Sequence, residues 1–192
     1  IDRRHNPEFT LLESYEAYAD YGDVAEMVEA LYRFVAREVV GSLQLPFGEQ
    51  VIDLERPWRR TTYREALLEH TGIDYELHRE VDDLREIARE RGVEASASAS
   101  WGTVLDELMS TFVEPKLIQP TFLLDYPAEL SPLAKTKPDN AQVAERFELF
   151  IAGYEMANAY SEQNDPVVQR QRMLEQALKQ AQGDDEAEIA DD

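Results

Sequence analysis

The stretch ERFELFIAGYEMANAYSEQND, residues 145–165, decides how this sequence is read. Short runs of strand-forming residues lie on either side of Ala152-Gly153, which predicts two strands joined by a tight turn. On the second strand Asn158, Tyr160 and Glu162 recur at a spacing of two, which sends all three side chains to one face. Glu148 lies on the first strand and Glu155 just past the turn. Carboxylates gathered on apolar strands are costly, because desolvation and mutual repulsion both disfavour their charged forms. A cation between them is the natural remedy. Carboxylate oxygens suit Mg²⁺, which is commonly held by one or two of them while substrate phosphates fill other positions. The bland alternative is a set of glutamates facing solvent. Phe150 and Met156 read as core.

Outward from this hairpin, LIQPTFLLDYP at 117–127 reads as a buried strand and SPLAKTKPDN at 131–140 as a loop. A helix is expected from about Pro166 to Gln182, carrying Val167, Met173, Leu174 and Leu178. Towards the N-terminus, TVLDELMSTFVEP at 103–115 predicts a helix that stops before Pro115, preceded by a low-complexity connector, ASASAS, at 95–100. Leu77, Val81, Leu84 and Ile87 form one stripe of a charged surface helix over 74–92. Thr62 caps another helix, with Glu65 three residues on. Residues 43–54 predict a hairpin around Gly48, and residues 23–40 an amphipathic helix with Asp23 near its start and Gly41 past its end. Residues 9–19 alternate, so Phe9, Leu11, Glu13, Tyr15 and Ala17 would share one face of a strand. Hairpin-paired strands with helices inserted between them imply an α+β domain around an antiparallel sheet, with a helical insertion at about 62–114 and an acidic end at 183–192.

Composition sets outer limits. A chain of 192 residues with 43% hydrophobic content is enough for one domain. Its 40 Asp plus Glu against 19 Lys plus Arg give a net charge of -21, so any contact with nucleic acid must be local. No apolar run approaches the roughly 20 residues that cross a bilayer, and the first residues lack the apolar centre of a secretion signal. The absence of cysteine excludes disulfides and thiol catalysis, and cytoplasm is the simplest expectation.

Three blocks carry a family resemblance: HNPEFTLLESYEAYADY at 5–21, KLIQPTFLLDYPAELSPLAK at 116–135, and the hairpin itself. In content, order and separation they resemble bacterial-type class II lysyl-tRNA synthetase, across essentially the whole chain. The resemblance implies an incomplete catalytic core. The arginine-bearing part of the second class-defining motif would lie just upstream of Ile1, and the third motif beyond the acidic end. It implies that Arg4 and His5 lie near the outer ATP phosphates as catalytic and ATP-binding residues, that Phe9 stacks on adenine, and that Glu148 and Glu155 hold Mg²⁺. Tyr15 and Glu162 would receive the ammonium of lysine, with Glu13 and Asn158 completing the polar wall and Tyr160 along the aliphatic stem. The implied partners are ATP, L-lysine, tRNA(Lys) and a second subunit of a homodimer, with no membrane. Ala159, Tyr160 and Gln163 stand where the family usually has Gly, Phe and Leu, which bears on fine specificity.

Two other readings compete. One is the paralogous ligase that modifies elongation factor P, against which AYADY at 17–21 and YPAELSPLAK at 126–135 speak. The other is a non-catalytic acidic binding module that kept the pocket. Without the missing motifs, the chain alone is expected not to charge tRNA.

Overall fold

Asp20 starts the first helix. In the computed structural model, which describes residues 6–181, its carboxylate accepts from the backbone N–H groups of Gly22 and Asp23, while the Asp23 side chain accepts from the Asp20 N–H. Asp23 is thus the return arm of a capping box. Helix α1, Tyr21–Val35, runs into a π-helical turn at Ala36–Val40 and ends at Gly41, whose φ of 75° is the left-handed stop that the glycine predicts. The expected hairpin follows as β1, Gln44–Phe47, paired antiparallel with β2, Gln50–Asp53.

The rest of the chain builds one five-stranded sheet and the helices around it. Its elements are β3, Arg59–Thr62; α2, Tyr63–Thr71; α3, Val81–Glu90; α4, Trp101–Phe112; β4, Thr121–Pro127; β5, Thr136–Lys137; β6, Asn140–Ile151; β7, Tyr154–Tyr160; and α5, Pro166–Ala181. β6 pairs antiparallel with β4 on one edge and with β5 and β7 along the other. β3 adds to β4 in parallel. Parallel neighbours need a crossover connection, and the three helices between β3 and β4 supply it.

Each face of the sheet buries its own apolar cluster. Leu123, Tyr126 and Phe150 pack beneath α2, α3 and α4, with Tyr63, Leu67, Leu105 and Leu108. On the opposite face Phe122, Phe147 and Leu149 pack with Ala25 and Val28 of α1, Ile52 of β2 and Trp58. Alternation along β6 divides the two sets, and on β4 a register shift at Asp125, whose φ is 62°, brings Tyr126 to the face of Leu123. Thr62 caps α2 with Glu65 at its third position, as expected.

Several expectations fail, each for a local reason. Residues 9–19 form no strand: Phe9, Leu11 and Tyr15 are exposed, and the segment has no ladder partner among the described residues. The helix expected over 74–92 splits into a single 3₁₀ turn at Tyr75–Leu77 and α3, leaving Leu77 exposed. Between them the His78 carbonyl accepts from the Trp101 indole N–H, and Arg79 stacks on Tyr75 and Trp101. β3 was not expected, since Arg59–Thr62 has no apolar alternation, and the expected loop at 131–140 contains the short β5. α4 begins earlier than expected, capped by the Ser100 hydroxyl. Met156, expected in the core, is exposed, whereas Phe150 is buried. Gln182 and the acidic end at 183–192 lie outside the described residues.

Candidate functional site

The β6–β7 hairpin turns through Ala152 and Gly153, whose φ values of 57° and 75° are those of a tight two-residue turn twisted to match its strands. Beyond the turn the register decides where each side chain points. Asn158 lies opposite Glu148, Tyr160 opposite Arg146, and Ala157 opposite Leu149, but Phe150 then faces Glu155. β7 therefore holds one extra residue, Met156, as a β-bulge. Strict alternation would place Glu155 on the face opposite Asn158. The bulge returns Glu155 to the face that carries Glu148, Arg146, Asn158 and Tyr160, and leaves Met156 at the surface.

The electrostatics agree with that placement. Partial desolvation, and then the nearby Glu148 carboxylate, push Glu155 up to about 7 even though the residue retains solvent access. Asp106 of α4 is raised too, first by desolvation and then by Glu148. Burial, followed by the same carboxylate, raises the Tyr126 hydroxyl well above its ordinary value. The counter-charge in this cluster is Arg146. It donates from Nη2 to Glu148 Oε1 at 2.5 Å, from Nε to Asn158 Oδ1 at 3.1 Å, and from Nη1 to the Leu130 carbonyl at 2.8 Å. Its guanidinium also stacks over the Tyr126 ring, 4.7 Å from the centroid. Sequence reasoning overlooked Arg146. Its signal was present, because a residue two before Glu148 on one strand must share that residue's face.

Glu148 and Glu155 share one face of the hairpin. Among the described residues no group of three or more His, Asp or Glu could hold a metal ion unaided, so Glu148 and Glu155 would need oxygen ligands from elsewhere.

The other expected site residues are placed differently. Glu162 lies beyond the end of β7, in a lone bridge opposite Ala134, and is exposed instead of walled in. Backbone bonds hold that corner: the Lys135 N–H donates to the Ser161 carbonyl, and the Gln163 N–H to the Leu133 carbonyl. Phe9, Glu13 and Tyr15 belong to the irregular segment before α1 and are exposed, Phe9 by 77% and Tyr15 by 81%. Arg4 and His5 lie outside the described residues.

Comparison with known proteins gives a consistent result. A family model described as tRNA synthetases class II (D, K and N) matches residues 1–191. Among curated relatives, the lysine–tRNA ligase of Roseiflexus castenholzii is 49% identical over 191 residues, covering 100% of this chain and 39% of the relative. That of Halalkalibacterium halodurans is 45% identical, over 100% of this chain and 38% of the relative. That of Staphylococcus aureus strain MW2 is 43% identical, with shares of 100% and 39%. The chain thus spans about 39% of the length of such relatives.

Proposed function

Since the chain belongs to the class II tRNA synthetases of the D, K and N group, we propose that it supplies one wall of the adenylation site of a lysine–tRNA ligase. The observation that carries the reading is the Met156 bulge, which gathers Glu148, Glu155, Asn158 and Tyr160 on one face. The reaction is attack of a lysine carboxylate oxygen on the α-phosphorus of ATP, with pyrophosphate leaving. The lysyl group then passes to the 3′-terminal adenosine of tRNA(Lys).

In such a reaction the protein's share is positioning and charge neutralisation. Glu148 and Glu155 would hold Mg²⁺. Two carboxylates that repel one another fit an ion that seldom takes an all-protein cage and draws its other ligands from substrate phosphates and water. When bound, Mg²⁺ offsets the charge of the ATP phosphates. Arg4 and His5 would pair with the outer phosphates and Phe9 would stack on adenine. Glu162 and Tyr15 would accept from the lysine ammonium, Glu13 and Asn158 would complete the polar wall, and Tyr160 would flank the stem. Because Glu13 and Tyr15 stand exposed on residues 6–20, this pocket requires that segment to lie against the hairpin when ligand binds.

The strands β4, β6 and β7 are read as part of an antiparallel catalytic core, residues 62–114 as a helical insertion, and the working protein as a cytoplasmic homodimer. Relatives bearing the name lysine–tRNA ligase favour this over modification of elongation factor P. The test is lysine-dependent exchange of pyrophosphate into ATP by a protein that carries this chain at the full length of its relatives. Glu148→Gln and Glu155→Gln should each reduce exchange by about 100-fold, the scale of losing one transition-state charge contact. Undiminished exchange in both variants would overturn the assignment. The chain by itself is expected to give no exchange.

A further inference from the structure

Arg146 has more to do than neutralise a carboxylate. Its guanidinium donates to four acceptors on three parts of the chain: Glu148 on its own strand, Asn158 on β7, and the Leu130 carbonyl and Ser131 hydroxyl at the end of the β4 connection. Ser131 is buried and Arg146 itself is only 17% exposed, so the anchor end is fixed and largely dry. Stacking on the buried Tyr126 ring sets the plane of the fork. An arginine can only donate. Asn158 must therefore turn Oδ1 towards it, so its amide NH₂ is not used in that bond, and Asn158 itself is exposed.

We infer that Arg146 is a positioning residue of the amino-acid pocket: it orients the Asn158 amide as a donor towards ligand and holds Glu148 beside it. The inference rests on the adenylation reading above and deepens it. An amide held this way recognises an acceptor, such as a carboxylate oxygen of the amino acid, and not its ammonium. Lysine at position 146 keeps the charge but lacks the fork, so it cannot hold Glu148, Asn158 and the Leu130 corner together.

The test uses pyrophosphate exchange by a protein carrying this chain at the full length of its relatives, in Arg146→Lys, Arg146→Met, Asn158→Ala and the Arg146→Lys, Asn158→Ala pair. KM for lysine should rise about tenfold in each single variant, the scale of one charge-assisted hydrogen bond, and the pair should be no worse than Asn158→Ala alone. A merely structural role would lower the folded fraction, and hence kcat and the thermal midpoint, while leaving KM unchanged. If Arg146→Met fails to fold, Arg146→Lys decides. A lysine KM within about twofold of the parent in Arg146→Lys, with Asn158→Ala raised, would overturn the positioning role alone. An unchanged KM in Asn158→Ala would instead remove the pocket, and the positioning role with it.

Discussion

Residues 9–19 and the second arm of the hairpin at 154–162 share a period-two pattern of site-type residues, and they meet different fates. The hairpin arm finds its partner two residues away, through the turn at Ala152 and Gly153, and becomes β7. The earlier segment stays irregular and largely exposed, with no ladder partner among the described residues. Alternation says which side chains would share a face if a strand formed. It does not supply the hydrogen bonds that make one, and an unpaired segment in water has little to hold it as a strand.

That contrast can be broken by mutation. The largest effect is expected at Phe147, which is fully buried and packs edge-on against Phe122 at 5.1 Å. Phe147→Ala should cost about 3–5 kcal/mol in urea unfolding, and a loss under about 1 kcal/mol would deny β6 its place in the core. Next comes the border between the two regions, the Asp20 capping box, where Asp20→Ala should cost about 1 kcal/mol by the same measurement. A smaller effect, dependent on pH, is expected at Glu155. Its folded value near 7 lies above its ordinary 4.5, so the native state binds the extra proton and the protein loses stability as pH rises between those values. Glu155→Gln should therefore raise the thermal midpoint relative to the parent at about pH 8 and not at about pH 4; equal shifts at both would contradict it. Least of all, Phe9→Ala should change stability by no more than about 0.5 kcal/mol, since Phe9 is 77% exposed, and a larger loss would restore the segment to the fold.

Much of the framework was legible because local chemistry and packing agree. The period of α1, the Gly41 stop, the capping box at Thr62 and Glu65, and the hairpin strands each carry signals within a few residues. β3 was not legible. Arg59–Thr62 is a strand because the α2–α4 crossover returns β4 alongside it, a long-range cause with no imprint on four polar residues. The same holds for the bulge: period two predicted the shared face of Asn158 and Tyr160, yet counted Met156 into the core and could not say on which face Glu155 would emerge. Arg146 was legible by its spacing from Glu148, but a metal and a guanidinium balance paired carboxylates equally well, and spacing alone does not choose between them.

The shared face of Glu148 and Glu155 is tested most directly by following the side-chain carboxyl carbon of Glu155 by NMR through a pH titration without divalent cations, in the parent and in Glu148→Gln. The parent should titrate near 7, and the variant clearly lower because its partner's charge is gone. A parent midpoint near the ordinary 4.5, unmoved by Glu148→Gln, would mean that the two carboxylates do not face one another, and the proposed magnesium site would fall with them.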